Sequence, residues 1–224
     1  MFDPERALNE GEENRVRILI IRHGQTDYNA LGRVQGQIDI PLNELGKWQA
    51  ERVGERLKNY ELSGIFASDL SRALDTAKAV AQHHPHLTLL TSELLREVAY
   101  GVFEGMAIGE IEHTYPEEYL QWREGDVGYA PPGAENVYDQ RARANQALIW
   151  VREHCTNANG TIVIVTHGTI ERSLVANLLD FGIDQQMRLH YDNTSLTAIQ
   201  ETPRGLGLML SNDTSHLGEK SNFP

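Results

Sequence analysis

Two runs of this chain limit its architecture more than anything else in it: Ile18-Leu19-Ile20-Ile21 and Thr161-Ile162-Val163-Ile164-Val165. Each is apolar along its length and too short for a helix, so each predicts a strand buried on both faces. A strand covered on both faces belongs to a sheet sandwiched between helices, with mainly parallel pairing and helical crossovers. GIFA at 64–67 is a third such run, and 87–91 a weaker one. The intervening segments supply the helices. Asn43 reads as the N-cap of a helix whose Leu45, Trp48, Val53, Leu57 and Tyr60 recur at helical spacing. Within 68–82, Leu70, Ala73, Leu74, Ala77, Val80 and Ala81 trace one stripe. A longer helix at 136–155 turns Val137, Ala144, Leu148 and Val151 to one side, and 168–180 predicts another. Residues 97–135 read as irregular, with a short helix or two broken by Pro116 and by the Pro131-Pro132-Gly133 turn. Strands near 188–191, 195–200 and 206–211 complete the pattern. The expectation is a three-layer α/β/α fold with a mainly parallel central sheet. It occupies one domain, 15–224, after a flexible acidic tail at 1–14.

Charge and cysteine content narrow the partners. A formal charge of −12 argues against nucleic acid or an anionic membrane surface. It does not exclude a small anion, because a local cluster of arginines overrides a net charge. Cys155 is the only cysteine, so an intramolecular disulfide is impossible and a reducing compartment is expected. The first residues, MFDPERALNEGEEN, lack the apolar stretch of a signal peptide, and no apolar run approaches the roughly 20 residues that span a bilayer. A cytoplasmic protein is expected. Its oligomeric state stays open, a homodimer included.

Three of the expected strands end alike. Strand 16–22 finishes at Arg22-His23-Gly24, and strand 161–165 at Thr166-His167-Gly168. Strand 64–67 leads to Ser68, with Arg72 one turn into the next helix. Ligands of open parallel sheets bind outside the carboxyl ends of the strands. If the three strands are neighbours, two arginines and two histidines meet at one mouth. The helix from Gly168 would aim N–H groups and a partial positive charge at the same place. Arg72 lies off the apolar stripe of its helix, so the core does not require it. Such a site suits a dianion, phosphate above all, because a guanidinium binds two oxygens at once. Singly, each residue has an ordinary structural explanation; jointly they do not. The tract His83, His84, His86 resembles a metal site, but it lacks partners at ligand spacing and reads better as a solvated helix end.

Arg22-His23-Gly24-Gln25-Thr26, then Asn29 and GRVQGQIDIPLNELG at 32–46, resembles the signature of the histidine phosphatase superfamily, also called phosphoglycerate mutase-like. The resemblance runs on through SDLSRALDTA, LREVAYGVFEG at 95–105, THG at 166–168 and NDTSHL at 212–217, in the expected order. It implies that His23 is the nucleophile and that Arg22, Arg72 and His167 hold the phosphoryl oxygens. Glu97 would protonate the leaving oxygen and afterwards activate water. Asn29 and Gln35 match polar positions of the pocket wall, and Gly168 counts with the substrate-binding residues. Thr26 either donates to phosphate or satisfies local backbone. Glu104 and Glu171 are carboxylates too, but the motif points to Glu97, and Glu104 fits a loop-bracing role. The chemistry suits these residue types. An attacking imidazole must be neutral, with its other nitrogen held as a donor. Fixed positive groups stabilise the charge-spread phosphoryl transition state, and an acid is needed so that the leaving group departs as an alcohol.

The resemblance implies no metal and no cofactor, with a small-molecule phosphomonoester as partner. The chain departs from the family pattern at Thr169, where a second glycine is common, in PPGAEN at 131–136, and at Val98, Ala99 and Tyr100. These positions bear on which substrate is taken. A phosphomonoester hydrolase working through a phosphohistidine is the expected function. A cofactor-dependent phosphoglycerate mutase is the alternative, and a catalytically silent binding protein a third reading. The GRVQGQIDIPL loop and the closing NDTSHL resemble the phosphatase branch.

Overall fold

The apolar runs form strands because alternate side chains leave in opposite directions and both faces are covered. In the computed structural model, which describes residues 17–124, 127–155 and 160–220, β1 is Arg17–Arg22. A short helix α1 (Asp27–Ala30) and a longer α2 (Glu44–Leu57) lead to β2 (Leu62–Ala67). Then come α3 (Ser71–Ala81), β3 (Leu89–Thr91), α4 (Ile108–Thr114), α5 (Pro116–Glu124) and α6 (Val137–His154). The chain continues through β4 (Thr161–Thr166), α7 (Gly168–Leu178), α8 (Ile183–Met187), β5 (Leu196–Thr202) and β6 (Gly205–Asp213). The expected tail at 1–14 lies outside the described residues. Among the described residues no helix is long and apolar enough to cross a membrane.

The six strands lie in the order β3-β2-β4-β1-β5-β6, with β5 alone running against the others. Leu19, Ile21, Ile65, Val163 and Val165 face α2 and α3 through Val53, Leu57, Ala73, Ala77 and Val80. On the other side Ile18, Ile20, Ile162 and Ile164 meet α6 and α7 through Ala144, Ala147, Val151, Ile170 and Leu174. These are the three expected layers. Leu19, Ile20 and Ile21 are fully buried, each worth about 1.5–3 kcal/mol on the scale of apolar transfer.

Three local expectations fail for identifiable reasons. Leu45 is exposed, and the buried face of α2 is Gly46, Gln49, Ala50, Val53, Gly54 and Leu57. Small residues let α2 approach α3 closely: a Cβ on Gly54 would lie 2.2 Å from the Ala79 carbonyl oxygen. Hydrophobic spacing misses a contact made by glycine. Pro116 opens a helix rather than breaking one, since a first-turn N–H has no partner to lose. Residues 188–191 form no strand; the alternately buried Leu189 and Tyr191 mimic one, but the Tyr191 carbonyl accepts from Arg22 Nη1 at 2.6 Å instead of joining a ladder.

Candidate active site

β2, β4 and β1 are consecutive in the sheet, so their carboxyl ends share one mouth. Gly24 follows the first histidine because the backbone of α2 passes directly beneath it. A Cβ there would lie 2.4 Å from the Gly46 carbonyl oxygen, and one on Gly46 would lie 2.0 Å from that of Gln25. The loop is fixed further by Thr76 Oγ1, which accepts from Gly24 N at 3.0 Å and donates to the Arg72 carbonyl at 2.7 Å. From the far side of the chain, Thr194 N donates to the Arg22 carbonyl at 2.9 Å and Asn193 Nδ2 to that of His23 at 2.9 Å.

The hydrogen bonds set both imidazole tautomers. His23 Nδ1 lies 2.6 Å from the Gly24 carbonyl, which can only accept, and therefore carries the proton. That leaves a lone pair on Nε2. His167 Nδ1 accepts from Arg72 Nε at 3.1 Å, so its proton sits on Nε2, which is buried without a partner among the described residues. The two rings meet edge to face with centroids 5.0 Å apart. Burial, then the nearby Arg72 and Arg22 charges, hold the His23 pKa well below its usual value. Burial first, with Arg72, does the same for His167. One ring presents a nucleophilic nitrogen, and the other a donor.

The arginines are braced for the same purpose. Arg72 is fully buried; Nη2 donates to the Gly36 carbonyl at 2.7 Å and Nη1 to that of Ile38 at 2.8 Å. Burial lowers its pKa to about 10, so it stays charged at neutral pH. Arg22 spends Nη1 on Tyr191, while its buried Nε has no partner among the described residues. Gly168 lies beside it, where a Cβ would stand 3.4 Å from that Nε.

Glu97 stands opposite. Its Oε1 accepts from Val98 N at 2.9 Å and Ile170 N at 3.1 Å, and its Oε2 from Thr169 N at 3.2 Å. The first-turn N–H groups of α7, expected to face phosphate, are thus held by the protein's own carboxylate, the side chain that a helix N-terminus favours. Three backbone N–H groups fix the Glu97 carboxyl at the edge of the cavity. Arg143 brackets this loop: it pairs with both oxygens of Glu135 at 2.7 Å and donates to the carbonyls of Leu94, Arg96 and Glu97.

A cavity of about 220 Å³ joins these groups, with Arg22, His23, Asn29, Gln35, Arg72, Glu97 and Gly168 in its wall. Thr26 is not in that wall. It is fully buried, with its hydroxyl 2.8 Å from Gln35 Oε1 and accepting from Asn29 N at 3.2 Å, so it caps α1 and positions its two neighbours. Glu104 Oε1 accepts from the backbone of Gln37 and Tyr100 and braces the loop. Glu171 is fully buried beside Thr197, and burial raises its pKa to about 8. His84, from the histidine tract, is buried against the Leu57 carbonyl. Arg33, Trp122, Arg172, His190 and Tyr191 also line the cavity and were not singled out in the sequence. Arg172 could have been found: it lies one helical turn beyond Gly168 and shares its face.

The chain is similar to known proteins over most of its length. The family model for the histidine phosphatase superfamily (branch 1) matches residues 18–214. Phosphoserine phosphatase 1 of Hydrogenobacter thermophilus is 29% identical over 204 residues, covering 91% of this chain and 95% of that protein. A probable phosphoglycerate mutase GpmB of Yersinia pestis is 34% identical over 213 residues, covering 90% and 95%. A solved mycobacterial glucosyl-3-phosphoglycerate phosphatase, complexed with VO3, superposes with TM-score 0.78 at 31% identity, covering 88% of this chain and 99% of that one.

Proposed function

The chain belongs to the histidine phosphatase superfamily, and from that premise we propose that it hydrolyses small phosphomonoesters through a phosphohistidine at His23. It is a phosphomonoesterase acting on small phosphorylated metabolites. The observation that carries the mechanism is the pair of opposed tautomers: a free Nε2 lone pair on His23 beside a free Nε2–H on His167.

In the first step His23 Nε2 attacks phosphorus as the bond to the leaving oxygen breaks. Arg22, Arg72 and His167 hold the equatorial oxygens, where negative charge spreads in the transition state. A proton passes from Glu97 to the leaving oxygen, which departs as an alcohol. Three backbone N–H groups then hold the resulting Glu97 carboxylate. In the second step that carboxylate takes a proton from water as the water oxygen attacks phosphorus. The N–P bond breaks, inorganic phosphate leaves, and His23 returns neutral with its proton on Nδ1.

The phosphoryl-facing groups are guanidinium and imidazole, which supports a metal-independent reaction. The experiment is a panel of phosphomonoesters assayed for phosphate release in EDTA, alongside a mutase assay supplied with 2,3-bisphosphoglycerate. Hydrolysis that survives chelation, with isomerisation far slower, is expected. Loss of activity restored by a divalent ion, or isomerisation outpacing hydrolysis, would overturn the reading.

A further inference from the structure

The NDTSHL stretch at 212–217 supplies no group to the phosphoryl cavity, yet it grips the turn that holds two residues of its wall. That turn is 192–195, closed by Ser195 N donating to the Asp192 carbonyl at 3.0 Å. Within it, Asn193 Nδ2 donates to the His23 carbonyl and Thr194 N to that of Arg22. Asn212 holds one end of the turn: its Oδ1 accepts from Asp192 N at 2.7 Å, and its Nδ2 donates to Asp192 Oδ2 at 2.8 Å. His216 holds the other. Its Nδ1 lies 3.3 Å from Arg56 Nη1, which can only donate, so the ring proton is on Nε2, 3.3 Å from Thr194 Oγ1. The Thr194 hydroxyl accepts that bond and donates to the Asn193 carbonyl at 2.8 Å. Arg56 pairs with Asp213, and Arg52 Nε donates to the His216 carbonyl at 3.1 Å. A continuous chain of hydrogen bonds thus runs from α2 through His216 to the backbone of His23.

Packing alone does not call for this arrangement. Among the described residues three non-glycine positions have φ in the left-handed region, and two of them are Thr194 at 56° and Asn212 at 52°. Asparagine tolerates that region; a β-branched threonine enters it only when its surroundings impose it. His216 is costly as well, since it is buried beside a guanidinium where an apolar side chain would need no partner. Strain and buried polarity gathered at one contact with the catalytic loop indicate a demand on position. Resting on the phosphatase reading above, we propose that Asn212, Asp213 and His216 are positioning residues for the nucleophile. They clamp the 192–195 turn in the shape that fixes the Arg22 and His23 carbonyls, and with them the line of attack of His23 Nε2. Arg72 is held separately, through Gly36 and Ile38. Loosening the clamp therefore moves the attacking nitrogen and leaves most of the anion site in place.

His216→Ala should lower kcat by roughly 10–100-fold, the scale of a displacement near 1 Å. In single-turnover phosphorylation the loss should be alike for alkyl phosphates and p-nitrophenyl phosphate, because attack on phosphorus is common to both. Inhibition by inorganic phosphate should stay within about threefold of native, while vanadate, which adopts the geometry of the transferring group, should weaken in parallel with kcat. His216→Gln, whose amide keeps a donor for Thr194 and an acceptor for Arg56, should recover most of the rate. An undiminished kcat in His216→Ala, equal weakening of phosphate and vanadate, or a glutamine variant as slow as the alanine one would overturn the proposal. Hydrogen exchange read by NMR tests the clamp without turnover. The Thr194 amide should exchange faster in His216→Ala while the Leu19 amide of the core stays protected; unchanged exchange at Thr194, or a quickening that Leu19 shares, would also overturn it. Failure of the native protein to release phosphate even from p-nitrophenyl phosphate would instead remove the phosphatase reading, and the exchange comparison would still decide whether His216 holds the turn.

Discussion

At the carboxyl ends of β2, β4 and β1, two guanidinium groups and a neutral imidazole are held by backbone: Arg72 by Gly36 and Ile38, Arg22 by Tyr191, His23 by Gly24. Across the cavity, side chains brace the segment from Glu97 to Asn136 in addition to its backbone hydrogen bonds. Glu135 and Arg143 brace the Glu97 loop, Glu104 accepts two backbone N–H groups, and the Tyr100 hydroxyl meets Thr169. Its own core is a small one, built on Phe103, Ile111 and Tyr119. Backbone acceptors come with the fold, whatever the nearby side chains are. Side-chain braces change with single substitutions. On the proposed mechanism, the first region fixes the phosphoryl chemistry, and the second fixes the position of Glu97 and the shape of the space for the leaving group.

Substitutions should separate the two regions by magnitude. His23→Ala removes the proposed nucleophile, and turnover of every ester should fall by at least about 10⁴-fold, measured as steady-state phosphate release. Residual turnover within tenfold of native would break the assignment. Glu97→Gln should cost roughly 10²–10⁴-fold with alkyl phosphates and less with p-nitrophenyl phosphate, whose phenolate leaves without a proton. Equal losses in single-turnover phosphorylation would remove Glu97 as the leaving-group acid. Glu135→Ala leaves the acid in place but releases its brace. The loss should be roughly 10–100-fold, again concentrated on alkyl esters, because misplacement by about 1 Å acts on this scale. A uniform loss across esters would mean that Glu135 serves folding alone.

The smallest effect concerns stability against pH. His216, beside Arg56 and Thr194, is held by burial at a pKa of about 4 in the folded protein, against 6.5 for a free imidazole. The unfolded chain takes up that proton first, so stability falls as pH drops from about 6.5 towards 4, with His23 and His167 acting in the same direction. Glu171 acts oppositely. Its folded value near 8 against 4.5 means that the unfolded chain ionises first, so stability is lost as pH rises between those values. Glu171→Gln should therefore raise Tm relative to the native protein more at pH 8 than at pH 5. Parallel Tm curves would contradict a buried acid at that position.

The same contrast explains what was legible in the sequence. The three strands that end at Arg22, Ala67 and Thr166 declare themselves by apolar runs, and their order in the sheet brings the expected cationic groups together. The helix faces around them were partly misread. Gly54 packs by having no side chain, and hydrophobic spacing gives no weight to an absence. Tyr191 looked like strand because its neighbours alternate in burial, yet its carbonyl belongs to Arg22. The braces Arg143 and Glu135 lie far from the motifs in sequence and meet the Glu97 loop only through the fold. Arg172 was hidden by its helix, whose apolar face explained the segment without it. Glu97 was found, but its partners on α7 were not, because a carboxylate and a phosphate suit the same N–H groups.

The central claim is that His23 Nε2 accepts the phosphoryl group. Rapid quench during turnover of an isotopically labelled phosphomonoester, followed by peptide mapping, tests it directly. The account predicts an acid-labile, base-stable phosphate on His23 that forms and decays at rates competent for turnover and is absent from His23→Ala. Turnover at the native rate with no phosphate on His23, or with the label on another residue, would contradict it.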